Sequence, residues 1–178
     1  MSKVLTNNSF LKEKIDLRIN QLDINRQYKV LECYAGEGLI WDQIQAMGYQ
    51  IEILRIEKEK SKKAVLKGDN VKWLLSLDLN EFDIIDLDAY GVPFEQMEIL
   101  FQKEYHGIVF VTFIQTIMGQ LPYGLLNYSS YSKSMIKKIP TLFGKNAWFV
   151  MEAYLSKKGI KEVQMVDRQR KKYFSFFC

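Results

Sequence analysis

Apolar residues in this chain fall into short blocks separated by polar turns, and the period of the blocks alternates. Residues 28–33, 51–56, 82–87 and 107–113 are apolar-rich runs of six or seven residues. They are too short for ordinary helices and rich in the branched and aromatic types that suit buried strands. Between them, residues 38–47, 58–66, 71–77 and 93–104 read as helices, the first ended by Gly48, the second Lys-rich and the third carrying Trp73. Residues 67–70 read as a turn. Ahead of the first strand, Leu11, Ile15, Ile19 and Leu22 recur at helical spacing over residues 9–22. Ser9 is the N-cap, with Asn7 and Asn8 competing for that role. After the fourth strand, residues 119–131 read as a loop rich in Tyr, Ser, Gly and Asn. Residues 132–158 read as a helix broken near Pro140 or Gly144. Residues 160–166 and 172–177 read as two antiparallel strands around the turn at 168–170. Apolar strands alternating with helices predict an α/β fold with a parallel sheet covered on both faces, here closed by a terminal antiparallel hairpin.

The length of 178 residues predicts one domain spanning 1–178, with residues 1–27 as a helical N-terminal extension. The two cysteines, Cys33 and Cys178, make no disulfide framework and predict a reducing, cytoplasmic setting. Residues 1–14 hold no apolar stretch of the signal-peptide kind, and no run of 18 apolar residues exists to cross a membrane. Charge is uneven. Residues 133–178 hold 11 Lys/Arg against 3 Asp/Glu, a net of +8, while residues 1–132 hold 14 against 18, a net of −4. A cationic face for RNA or DNA and an ordinary solvated helix and hairpin are both consistent with this split.

Four signals lie, in order, at the carboxyl ends of predicted strands, the edge where open α/β sheets bind ligands. The first is Glu32-x3-Gly36-x-Gly38, a strand running into a glycine turn that lets a ligand approach bare backbone. Glu32 and Glu37 make this turn negative, so it suits a cationic or hydroxyl-rich ligand better than a pyrophosphate. The second is Glu57, 19 residues after Gly38, where a carboxylate can accept hydrogen bonds from a ribose diol. The third is Gly68-Asp69-Asn70, an acid and amide placed to contact an adenine amine. The fourth is Asp86-Leu87-Asp88-Ala89-Tyr90-Gly91-Val92-Pro93. Singly, Glu57 reads as a surface acid and Asp69 as a turn former; it is their order that points to a site. His106 is the only histidine and precedes a strand on the opposite edge. No residue spacing suggests a metal, and with the one histidine so placed a Ser-His-Asp set is disfavoured.

On these motifs the chain resembles the class I S-adenosylmethionine-dependent methyltransferases over residues 28–178, with a Rossmann-like sheet of seven strands. The resemblance implies S-adenosylmethionine as cofactor, held by Glu32, Tyr34, Ala35, Gly36 and Gly38 at its methionine end. It implies Glu57 at the ribose, Asp69 and Asn70 at the adenine, and Asp86 nearby. The run FDIIDLDAYGVP is similar to a segment of the tRNA guanine-N2 dimethyltransferases, and more broadly to the D/N-P-P-Y/F motif of enzymes that methylate exocyclic amines. Ala89 stands here where those motifs carry proline, and the large C-terminal RNA-binding domain of the tRNA enzymes is not in this sequence.

The chemistry this implies follows from the acceptor. The lone pair of an aromatic amine is delocalised into its ring, so orientation matters most. Asp88 is placed to accept the amine's hydrogen bond and Tyr90 to stack on the base; the bland alternative is that Asp88 caps the following turn and Tyr90 packs under it. Asp86 points to the other face from Leu87 and has a less defined role, such as organising the glycine turn. Tyr123, Tyr128 and Tyr131 read either as stacking platforms or as loop packing. Two other functions compete. A non-catalytic module of the same fold is suggested by Ala89. A nicotinamide-dependent oxidoreductase is disfavoured because Trp41 stands where its fingerprint needs a third glycine.

Overall fold

The computed structural model describes residues 10–58, 63–114, 121–129, 131–138, 147–168 and 170–178. Seven strands form one sheet: β1 (Tyr28–Cys33), β2 (Ile51–Glu57), β3 (Leu66–Lys67), β4 (Ile84–Leu87), β5 (Ile108–Ile114), β6 (Gln164–Arg168) and β7 (Lys171–Phe177). Their order is β3-β2-β1-β4-β5-β7-β6. The first five are parallel, and β7 enters antiparallel between β5 and β6. The helices are α1 (Leu11–Ile19), α2 (Leu39–Ala46), α3 (Asn70–Ser76), α4 (Phe94–Gln102), α5 (Tyr123–Leu126), α6 (Lys133–Lys138) and α7 (Ala147–Lys157).

Side-chain alternation divides the core in two. Val30, Ile84, Phe110 and Tyr173 face one side and pack with Ile15 and Leu17 of α1 and Ile40, Trp41 and Ile44 of α2. Leu31, Cys33, Ile85, Val109, Val111, Phe174 and Phe176 face the other side, under α3, α4, α5 and α7. A parallel sheet needs this double cover, because both faces of its strands are apolar. No helix among the described residues is long and apolar enough to cross a membrane.

Three expectations change. Residues 63–65 are not helical, and Leu66–Lys67 pairs with β2 as a two-residue strand; the rest of the expected Lys-rich helix, at 59–62, lies outside the described residues. The loop at 119–131 contains the helical turn α5 over its described part. The sixth strand starts at Gln164 rather than at residue 160, because pairing with β7 begins at Gln164, opposite Ser175, and runs to Arg168, opposite Lys171. Ser9 and the break near Pro140 or Gly144 lie outside the described residues, and Phe10, at the N-cap position of α1, makes no side-chain cap.

Because the two cores sit on opposite faces, their energetics should be separable. Ile44→Ala should cost about 2–5 kcal/mol and Phe174→Ala about 3–5 kcal/mol. The double variant should match their sum to within about 0.5 kcal/mol in urea unfolding. A deviation of several times that would show that the cores are coupled through the sheet.

Candidate active site at the carboxyl edge of the sheet

After β1 the chain turns sharply through Tyr34, Gly36 and Gly38, with φ of 63°, 53° and 66°. The Ala35 N–H donates to Ile56 O at 3.1 Å and the Gly38 N–H to Ala35 O at 2.7 Å. The Gly36 N–H donates to the Glu57 carboxylate at 2.8 Å. Glu57, at the end of the neighbouring strand, thus holds the glycine turn directly. The two glycines serve different needs. Among the described residues, a Cβ on Gly36 would meet nothing nearer than Tyr34 O at 4.0 Å, whereas one on Gly38 would meet the Arg55 guanidinium at 2.9 Å from Nε and 3.0 Å from Cζ.

Arg55 is fixed by two carboxylates. Its Nε donates to Glu32 at 2.7 Å and its Nη2 to Asp42 of α2 at 2.6 Å. Strand register dictates the first contact, since Glu32 lies opposite Arg55 on one side and Asp86 on the other. Burial, together with the Asp86 charge, pushes the Glu32 carboxyl up to about 7 against the pull of Arg55.

The third signal closes on the same edge. The Gly68 N–H donates to Glu57 O at 3.1 Å. Asp69 caps α3, its carboxylate accepting from the Val71 N–H at 2.8 Å. Asn70 is buried, and its Oδ1 has no hydrogen-bond partner among the described residues. Burial pushes the Tyr34 hydroxyl up to about 12, against an opposing pull from the Asn70 amide. An orphaned buried acceptor is costly.

At the end of β4 the two acids diverge. Asp86 is fully buried and accepts three bonds: Arg18 Nε at 2.8 Å, Arg18 Nη2 at 2.6 Å and Trp41 Nε1 at 2.7 Å. The Arg18 guanidinium lies 5.0 Å from the Phe110 ring centre. Asp88 receives Lys14 Nζ on both oxygens, at 2.6 and 2.7 Å, and the Thr112 hydroxyl. Burial pushes the Asp88 carboxyl up, but Lys14 and then Arg18 outweigh it and hold Asp88 below the usual carboxylate range. Tyr90 is 86% exposed. The connection beyond it is tied to β5 by the Ile114 N–H donating to Gly91 O at 2.8 Å.

The edge therefore brings Glu32, Tyr34, Ala35, Gly36, Gly38, Glu57, Asp69, Asn70, Asp86 and Asp88 together, with Tyr90 projecting from its rim. Sequence reasoning missed Lys14, Arg18, Trp41, Arg55 and Thr112. A signal existed for two of them. Arg55 alternates with Ile51 and Ile53 and so shares their inward face, and Arg18 lies seven residues after Leu11 on the apolar stripe of α1. Among the described residues no group of His, Cys, Asp and Glu is placed to hold a metal ion.

No protein-family model matches the chain, and no curated protein matches it. Solved structures do. A SAM-dependent methyltransferase from Archaeoglobus fulgidus shares 13% identity over 98% of both chains, with a TM-score of 0.53. A precorrin-6y C5,15-methyltransferase from Geobacter metallireducens shares 12% over 100% of this chain and 92% of its own, at 0.52. An O-methyltransferase family protein from Burkholderia thailandensis shares 11% over 96% of this chain and 57% of its own, at 0.54. The fold is that of the class I methyltransferases. The likeness to tRNA guanine-N2 enzymes rests on the sequence motif alone.

Two measurements test the ion pairs. Arg18→Met should cost about 3–5 kcal/mol, because it strands a buried carboxylate, and adding Asp86→Leu should recover most of that loss. The Glu32 carboxyl stands near 7 in the folded chain, against about 4.3 unfolded. The folded chain then binds the extra proton between those values. Its contribution to stability is full below about pH 4 and declines as pH rises through about 7. Glu32→Gln should flatten urea-unfolding stability over pH 5–7 by up to about 1.4 kcal/mol per pH unit. An unchanged slope would show that Glu32 does not titrate there.

Proposed function

We propose that this chain transfers a methyl group from S-adenosylmethionine to an exocyclic amine of a nucleobase in RNA or DNA. The observation that supports it most is the orphaned buried acceptor of Asn70 on the same sheet edge as the glycine turn, whose Gly36 N–H is held by Glu57. A ligand bearing an amine at one end and tolerating close backbone approach suits both features. The cofactor supplies an electrophilic methyl group on a sulfonium. Glu57 keeps the turn in shape for it, and Asn70 accepts a hydrogen bond from the adenine amine.

Asp88 serves the acceptor. Lys14 and Thr112 keep it ionised, so it acts as a hydrogen-bond acceptor that orients the amine rather than as a strong base. Orientation of this kind contributes up to about 7–11 kcal/mol in favourable cases. Tyr90, exposed on the rim, stacks on the base. Exposed Lys133, Lys137 and Lys138 of α6, with Tyr123 of α5 at 55% exposure, supply a basic and aromatic surface of the type that binds single strands.

A second reading has a specific observation behind it. Glu32, Asp86 and Asp88 each already face a cation of the chain. A module of this fold that binds ligand or partner without turnover would be built in that way.

Calorimetric titration should show binding of S-adenosylmethionine and S-adenosylhomocysteine and none of NAD, and Gly36→Val should abolish it. Glu57→Ala should weaken it by about 1.5–3 kcal/mol. Labelled methyl transfer to bulk tRNA, rRNA and DNA should be lost in Asp88→Ala with cofactor affinity retained, and partly kept in Asp88→Asn. Wild-type rates in a folded Asp88→Ala protein would displace the acceptor role from Asp88. Binding without transfer to any of these polymers would favour the second reading. Nucleic-acid affinity should fall with salt, each neutralised phosphate adding about −0.7 to the log–log slope on single strands.

A further inference from the structure

Beyond Asp88 the carboxyl edge carries a cluster of cations and aromatic rings that the ion pairs of β4 do not account for. β7 runs antiparallel to β5, so its first residues stand at the same edge as the last residues of β4. Tyr173 lies opposite Thr112, whose hydroxyl donates to Asp88. Lys171 lies opposite Ile114 on one side and Arg168 on the other. Strand geometry sets Lys171 two strands from Asp88, about 10 Å to the side, and about 7 Å further out along the sheet.

Alternation sends Arg168 and Lys171 to the face of Val166 and Tyr173, the side covered by α1. Their contacts agree. Lys171 Nζ lies 5.7 Å and Arg168 Cζ 5.9 Å from the Phe10 ring centre. Phe10 lies 6.2 Å from the Tyr173 ring, and Tyr173 lies 5.2 Å from Lys14 Nζ, which sits on Asp88. A continuous series of contacts thus leads from Asp88 to the two cations. Their charge is only half answered. Arg168 meets Glu13 at 3.2 Å with its side chain still 43% exposed, while Lys171 forms no ion pair among the described residues and Arg170 in the turn is exposed. Lys172 belongs to the other face, over Trp148, and pairs with Asp167. Like charges directly opposite on neighbouring strands repel, so an anion seated between Arg168 and Lys171 would relieve a cost the fold already bears.

We propose that Arg168 and Lys171 together hold a backbone phosphate of a single-stranded nucleic acid whose target base reaches Asp88. This inference rests on the nucleobase-amine reading above. The guanidinium offers a fork of donors to phosphate oxygens and the ammonium a compact charge. The gap from this pair to Asp88 is one that a nucleotide spans from phosphate to base. A base presented to Asp88 must leave its stack, which costs least in a strand that is already single. Phe10 supports the stems of both cations, so the pair is held in place before the strand arrives.

The test measures binding of labelled, mixed-sequence single-stranded RNA and DNA oligonucleotides by fluorescence anisotropy across a salt series. Arg168→Gln and Lys171→Gln should each weaken binding about threefold to tenfold. The double variant should flatten the log–log salt slope by about 0.7, the share of one phosphate. Arg168→Lys, which keeps the charge, should restore most of the affinity. Lys161→Gln removes an equal, exposed charge from the same basic quarter, ahead of β6 at the opposite edge, and should leave the slope unchanged. Thermal unfolding checks that each variant is folded, and calorimetry that its affinity for S-adenosylmethionine is kept. An unchanged slope in the folded double variant, an equal loss in Lys161→Gln, or a loss of cofactor affinity alongside that of the strand overturns the phosphate seat and leaves the nucleobase reading standing. Binding of neither RNA nor DNA by the wild type at low salt overturns both, and cofactor binding then decides separately whether the chain is a methyltransferase.

Discussion

The structure depends on a row of charges laid across one face of the sheet, with two carboxylates as neighbours. Register places Arg55, Glu32 and Asp86 side by side on β2, β1 and β4, one strand spacing apart. Two carboxylates at about 5 Å repel by about 3 kcal/mol at an effective dielectric of 20, and each loses hydration as well. The row exists only because Arg55 and Arg18 answer it. Arg18 comes from α1, so the helix that reads as an extension in the sequence supplies a charge the sheet cannot do without. Lys14, one turn earlier, does the same for Asp88. The carboxyl edge and the N-terminal helix are thereby one electrostatic unit.

This unit also sets the division of labour at the edge. The face under α1 and α2 holds the ion pairs, and the opposite face under α3 and α4 holds aliphatic and aromatic packing. The glycine turn lies between them, with Gly36 held by Glu57 and Gly38 pressed on Arg55. A turn built on two glycines thus lets the backbone reach a carboxylate of the neighbouring strand while leaving room for a buried guanidinium.

Most of the fold was legible in the residues because strands β1, β2, β4 and β5 are apolar runs that nothing else explains. β3 was not, since two residues carry no period, and a Lys-rich stretch before it reads as helix by propensity. β6 was misplaced because its side chains are mostly exposed and leave no apolar alternation to mark it. At the site, Gly36 and Glu57 were legible from spacing, and their direct hydrogen bond follows from adjacent strands ending together. The partners Lys14, Arg18 and Arg55 were not, because a contact between residues 23, 68 or 74 apart follows from the topology of the fold rather than from local pattern. An arginine at an inward strand position is the clue that local pattern does hold.

The antiparallel insertion of β7 has a bearing on assembly. β6 pairs with β7 and with no other described strand, and β5 has β7 as its outer neighbour. Until β7 docks, β5 presents the strongly apolar edge Ile108–Ile114 with its ladder groups unpaired, the kind of surface that recruits strands from other chains. The same residues that complete the native sheet are therefore its guard against intermolecular pairing. Slow docking of the hairpin would be felt first as aggregation rather than as a partly working protein.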